Sequence, residues 1–202
     1  MAVAANSWIT LAQFKAYAGI NTTDAKRDAM IEPIIDGVSA LLCSMLGREI
    51  AQTTYTNEYM DGNGEVDLLL DNYPVKSISA IAEDDVALTE GDDYDYHLYA
   101  KEGRLHRLNG HWLDLPKIIK LTYVAGYIVQ GATPSTGETA LPADLKLACC
   151  MQVAAEWKRA DRAEWGLTNI SIDGGSLAML SQDALIPQVR SILRRYMGIM
   201  AQ

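Results

Sequence analysis

Between residues 61 and 67 oxygen-bearing side chains alternate, Asp61, Asn63, Glu65 and Asp67, as they do where a loop wraps a calcium ion in carboxylate and amide oxygens. Two positions spoil that chemistry. Val66 stands where such a loop turns on glycine, and Asn72 replaces the bidentate Glu at the twelfth position. The stretch Asp61-Gly62-Asn63-Gly64 reads instead as the turn of a β-hairpin. A second acidic set, Glu83, Asp84, Asp85, Glu90, Asp92, Asp93 and Asp95, offers a carboxylate pair to a metal-dependent hydrolase, a rim that repels DNA, or plain solvated turns. His97, His106 and His111 show neither HxxxH nor HExxH spacing. Cys43, Cys149 and Cys150 are odd in number and form no CxxC, so they read as buried thiols rather than a disulfide or zinc framework. No GxSxG, Gly-rich phosphate loop or Cys/His nucleophile arrangement is present. We therefore expect no catalytic residue, no cofactor and no metal, and a non-enzymatic protein.

Charge is gathered in the middle of the chain. Of the net −9, residues 55–125 carry −8, while 1–54 carry −1 and 126–202 are neutral. An acidic pI near 4.7 disfavours a protein that grips nucleic acid, because that binding rests on neutralising phosphates. It suits a lumen past which DNA slides without sticking. The longest apolar run, Leu147 to Met151, is far short of the roughly 20 residues a membrane span needs, so no membrane partner is expected. Met1 to Trp8 lacks a basic region followed by an apolar stretch, which predicts no secretory signal and synthesis in a cytosol.

The elements that would position these side chains change type at the same places. Thr10 caps a short helix, Leu11 to Ala18, that Gly19 stops. A cap at Thr23-Asp24 opens a long helix striped by Ile31, Ile34, Ile35, Val38, Leu41, Leu42 and Met45, closed by Gly47 and expected to kink or restart near Pro33. Strand-like runs follow at Tyr55 to Met60, Val66 to Leu70, Val75 to Ala82, Asp95 to Tyr99, Arg104 to Leu108 and Lys117 to Val124, the first two as a hairpin. Residues 126–141 read as a long flexible loop. Pro142 starts a third helix to about Ala163, apolar almost all round from Leu147 to Ala155 except at Gln152, so it must be covered on several sides. A hinge over Gly166 to Ser176 tethers a terminal amphipathic helix, Pro187 to about Met200. The expected fold class is α+β: a bundle of about four helices, from 1–54 and 126–202, with a small antiparallel β module inserted at 55–125.

Several pieces resemble the tailed-phage head-tail connector family, also called adaptor or head completion proteins. They are Ile9-Thr10-Leu11-Ala12-Gln13-Phe14-Lys15-Ala16-Tyr17-Ala18-Gly19-Ile20, the Asp24 to Arg48 helix, Tyr59-Met60-Asp61-Gly62 running into Leu68-Leu69-Leu70 and Tyr73-Pro74-Val75, Leu141-Pro142-Ala143-Asp144-Leu145-Lys146, and Ile192-Leu193-Arg194-Arg195-Tyr196. The resemblance implies a homo-oligomeric ring, commonly of about twelve subunits closed by head-to-tail contacts, at the virion neck. It implies a portal protein on one side, a tail or stopper protein on the other, and non-specific passage of DNA through the channel. Portal contact is expected from Val189, Arg190, Ile192, Leu193, Arg194, Arg195, Tyr196 and Met197, and the ring interface from Leu147, Cys150, Met151, Ala154 and Trp157. Pro33 and the length of the β insertion depart from shorter members. The competing readings are a monomeric carbohydrate- or protein-binding module and a small metal-dependent hydrolase.

Overall fold

The computed structural model describes residues 2–161, 169–172, 175–178 and 185–197. It divides into two compact units, Met1–Gly47 with Leu141–Gln202, and Arg48–Ala140. The first is helical and the second is built of strands, an α+β fold. The acidic block of 55–125 lies inside the second unit, which also takes in 48–54 and 126–140.

In the helical unit, α1 (Leu11–Ala18) begins with a reciprocal capping box: the Thr10 hydroxyl accepts from the Gln13 amide and the Gln13 side chain accepts from the Thr10 amide. Gly19, in the left-handed region at φ 69°, ends it. Helix α2 (Ala25–Leu46) is capped by Asp24, whose carboxylate accepts from the amides of Lys26 and Arg27, and ends at Gly47 with φ 68°. It runs through Pro33 without restarting. The reason is placement: Pro33 and Ala29, the residue whose carbonyl loses its partner, are both on the exposed side, where an orphaned carbonyl is open to solvent and costs little. Although its apolar runs are short, α2 as a whole is long and apolar enough to cross a membrane by length and composition. Its stripe of Ile31, Ile35, Val38, Leu42 and Leu46 is buried within the bundle. Helix α3 spans Ala143–Asp161. The segment read as a hinge contains two antiparallel strands, β10 (Asn169–Ile172) and β11 (Gly175–Ala178), while Gly166 and Gly174 lie outside the described residues. Helix α4 is short, Pro187–Leu193, and the expected extension to Met200 ends outside the described residues.

The strand unit has two sheets around one core. The first sheet orders β1 (Thr53–Met60), β7 (Ile119–Ala125), β3 (Val75–Glu83) and β4 (Val86–Ala87); the second orders β2 (Asp67–Leu69), β6 (Arg104–Arg107) and β5 (Tyr96–Tyr99). All of these pairs are antiparallel. Inward residues alternate along each strand, as in Ile119, Leu121, Tyr123 and Ala125, and they meet Leu68, Leu105, Tyr96 and Trp112. The expected hairpin from Tyr55 to Leu70 does not form, since β1 pairs β7 whereas β2 pairs β6 in the other sheet. Asp61-Gly62-Asn63-Gly64 instead carries the chain between sheets and packs on the segment 113–117. The Gly62 amide donates to Leu115 at 2.9 Å, and the Asp61 carboxylate accepts from the Lys117 amide at 2.7 Å.

Residues 126–140 are not a free loop. Two short strands, β8 (Tyr127–Ile128) and β9 (Thr139–Ala140), pair in parallel, and Gln52 donates its amide to the Tyr127 carbonyl at 2.9 Å. Glu138 fastens the segment: its carboxylate takes the Lys76 ammonium at 2.7 Å, the Ser135 amide at 2.8 Å and the Gln52 side chain at 3.3 Å. Many small polar residues disguise an anchored turn.

Two predictions follow from these packings. A methyl group at Gly62 would sit 1.7 Å from the Leu113 carbonyl oxygen, a backbone atom that cannot step aside. Gly62→Ala should therefore cost about 2–3 kcal/mol or more, measured by urea unfolding. The Lys76 ammonium, then the Ser135 amide, holds the Glu138 carboxyl down from 4.5 to about 2. The stabilisation from this depressed group is complete above its unfolded value and is lost as pH falls through about 2. Amide protection over 130–140 should persist at about pH 3 and fail near the folded value, and Glu138→Gln should remove it at every pH.

Candidate functional site

Helix α3 is the hub of the helical unit. Leu145, Ala148, Cys149, Cys150, Gln152 and Val153 are buried on it, over somewhat more than half its circumference, with α1, α2 and α4 packed against it. An apolar girth of this kind has to be covered on several sides, and the chain's own helices cover all but the side of Leu147. Of the side chains expected at a ring interface, Cys150 is buried at 4 % exposure, Met151, Ala154 and Trp157 are half-buried, and Leu147 alone is open, at 45 %. Trp157 sets its ring edge-on to Phe14 at 6.2 Å, so it packs α3 on α1. Burial pushes the Cys149 thiol up to about 12, which leaves it inert, and its sulfur lies 3.9 Å from the Ser39 hydroxyl on α2.

The terminal segment is folded onto α3 rather than tethered away from it. Leu185, Val189 and Leu193 are buried, and Gln152, the polar interruption in the apolar run, accepts from the Ile186 amide at 3.1 Å just before α4 begins. At the far end the Tyr196 hydroxyl donates to Asp144 at 2.6 Å. The apolar arc expected to meet a portal is thus partly spent within the molecule: Val189 and Leu193 are covered, Arg190, Ile192 and Tyr196 are half-buried, and Arg194, Arg195 and Met197 are exposed.

In the strand unit several of the candidate ligands are engaged with other partners. Asp67 accepts from Arg104 at 3.0 Å and pairs with His106 Nδ1 at 2.7 Å; His106 first, then Arg104, holds its carboxyl below the usual range. Asn63 braces its own turn, donating to the Asp67 carbonyl and accepting from the Glu65 amide. Glu83 is no rim residue. At 7 % exposure it pairs with Arg107 at 3.3 Å and accepts from the Leu113 amide at 2.8 Å. Asp84 and Asp85 form the tip of the β3–β4 hairpin at φ 49° and 59°, where Asp is tolerated. Asp95 accepts from the Thr89 amide, and Asp92 takes His97 at 2.6 Å. Among the described residues no group of three or more His, Cys, Asp or Glu is placed to hold a metal ion.

The sequence reading missed the surface around 109–118. Trp112 is buried and donates its indole N–H to the Val66 carbonyl at 3.1 Å, yet Leu113 and Leu115 are 43 % and 50 % exposed. The alternation of Trp112, Leu113, Asp114 and Leu115 carries no signal of which leucines face out. The segment is pinned by partners distant in sequence: Gly62 and Asp61 on one side, Val66 and Glu83 on the other.

The two units together make an α+β protein with exposed apolar side chains, among them Leu113, Leu115 and Leu147. The profile of the head completion protein family matches residues 7–199, and the chain belongs to that family. Its fold is similar to that of a chain in the neck of an empty gene transfer agent (GTA) particle computed with C6 symmetry, at 16 % identity and a TM-score of 0.54, covering 100 % of this chain and 96 % of that one. A chain in the virion of the native GTA particle is similar at the same identity and TM-score, with 100 % of this chain and 95 % of that one covered. No curated protein sequence matches the chain.

The burial of α4 makes a measurable claim. Leu193→Ala should lower unfolding stability by about 2–5 kcal/mol, while Met197→Ala at the exposed end should change it by less than about 0.5 kcal/mol, both read from chemical denaturation.

Proposed function

We propose that this protein is a non-enzymatic structural part of a virion neck, forming a ring between the portal and the tail or stopper and letting DNA pass through its channel. The observation that carries the reading is the family match across residues 7–199, which takes in both units. The likeness in fold to a neck chain of a C6-symmetric particle supports it. So does the acidic strand unit, since a channel wall of the same sign as DNA lets the duplex slide. Ring closure needs two different faces on each copy, because a head-to-tail contact joins unlike surfaces.

The portal contact falls to the flank of α4 left open once Val189 and Leu193 are packed, with Arg190 and Ile192 at its edge. Mixing the purified protein with rings of the portal from the same particle, followed by electron microscopy and native mass spectrometry, tests this. The expected result is a symmetric layer on the portal, weakened by at least about tenfold in Ile192→Ser, the order of effect of losing one apolar anchor from an interface. A protein that stays single at all concentrations and ignores portals would fit the monomeric binding module instead.

A further inference from the structure

Two exposed patches on this chain are opposite in charge, and each presents apolar side chains. One is the ledge of Leu113 and Leu115. It is fixed at several points: the Leu113 amide on Glu83, the Leu115 carbonyl on Gly62, the Lys117 amide on Asp61, and the Ile118 carbonyl on the Asp84 amide at 3.0 Å. A surface so braced gives up little freedom when it binds. Its rim is acidic, with Asp61, Glu65, Asp84 and Asp114 all exposed and Lys117 the base among them.

The other patch is the turn after α4. Arg194, Arg195 and Met197 are exposed, and the turn is held by the Tyr196 and Met197 amides on the Leu193 carbonyl at 2.8 and 3.0 Å and by the Tyr196 hydroxyl on Asp144. Residues 187–202 contain three arginines and no acid. The ledge is therefore a braced apolar strip with a negative rim, and the turn presents the Met197 side chain flanked by positive charge. Neither suits its own kind, since a two-fold pairing of either patch with itself sets like charges face to face.

We propose that the ledge of one copy receives the Arg194-Arg195-Met197 turn of the next copy, and that this is a head-to-tail contact of the ring. The assignment rests on the ring reading above. Met197 meets the leucines while the two guanidiniums meet the carboxylate rim, so the rim charges fix register and speed encounter, and the apolar centre supplies the hold.

The test is a charge swap between copies. One variant carries Arg194→Glu and Arg195→Glu; the other carries Asp114→Lys and Glu65→Lys, which spares Asp84 and Asp85 with their left-handed backbone. Circular dichroism and thermal melts first confirm that both fold. Assembly is then followed by analytical ultracentrifugation, alone and with portal rings, at about 0.05 M salt, where surface charges are least screened. Each variant alone should associate at least about tenfold more weakly than the wild type, and mixing the two should restore association, because each then offers the other an opposite patch. Unchanged association of either variant, or a mixture that stays apart, overturns the assignment. Lost portal binding with intact copy-to-copy association gives the arginines to the portal and overturns it too. A wild-type protein that forms no ring even on a portal removes the ring reading itself, whereas wild-type rings indifferent to the swap remove this contact alone.

Discussion

A helix that is apolar around most of its circumference cannot rest on one neighbour, and α3 imposes that constraint on the whole helical unit. Ala148, Cys149 and Cys150, each turned about 100° from the last, need cover on different sides, and α1, α2 and α4 supply it. Gln152 would be a liability in such a position, since a buried amide without partners costs on the order of 1–3 kcal/mol. Its side chain instead accepts from the Ile186 amide and donates to Glu156, so the polar residue at the centre of the hub fixes where α4 starts. The bundle is thus completed by its last helix, and the surfaces left over for other molecules are those that α3 does not recruit.

The strand unit solves a different problem. Its two sheets enclose one apolar core, and the link between them is polar and buried: Glu83 on β3 reaches Arg107 on β6 and also takes the Leu113 amide. Breaking one half of such a pair would strand a charge away from water. The guanidinium lies 5.1 Å from the centre of the Trp112 ring, which ties the same anchor to the segment that presents Leu113 and Leu115. Packing, electrostatics and the exposed ledge are in this way one arrangement. The remaining acids of the unit stay at its surface and set the sign of the field that a neighbouring molecule meets.

Local chemistry was legible in the sequence and long-range pairing was not. Thr10, Gly19, Asp24 and Gly47 act within one helical turn of their own position, and each sits at the helix end where its side chain or its freedom at positive φ places it. Six strands, β1, β2, β3, β5, β6 and β7, fall within a residue or two of their alternating runs, although the first two do not pair with each other. Asp61-Gly62-Asn63-Gly64 misled because a turn-forming sequence says that the chain bends and not which strand it bends toward; the choice is made by Leu113 and Leu115, some fifty residues on. The segment 126–140 misled because its glycines and small residues hide Glu138, whose partners Lys76 and Gln52 are far away in sequence. For the candidate surfaces the same limit holds: the apolar arc of α4 was visible, but its division between buried Val189 and Leu193 and exposed Met197 depends on where α3 lies.

The strand unit also closes on itself at the point where the chain enters and leaves. Ile50 and Gln52 on the way in exchange backbone hydrogen bonds with Tyr127, Ala51 bridges to the same residue, and Ile128 pairs with Ala140 on the way out. Both ends of the insert are therefore stitched to the same short strand, Tyr127–Ile128. Such a cassette can be lengthened, shortened or exchanged during evolution while its two stumps remain within joining distance, so a lineage can retool what this part of the molecule touches without rebuilding the bundle that carries it.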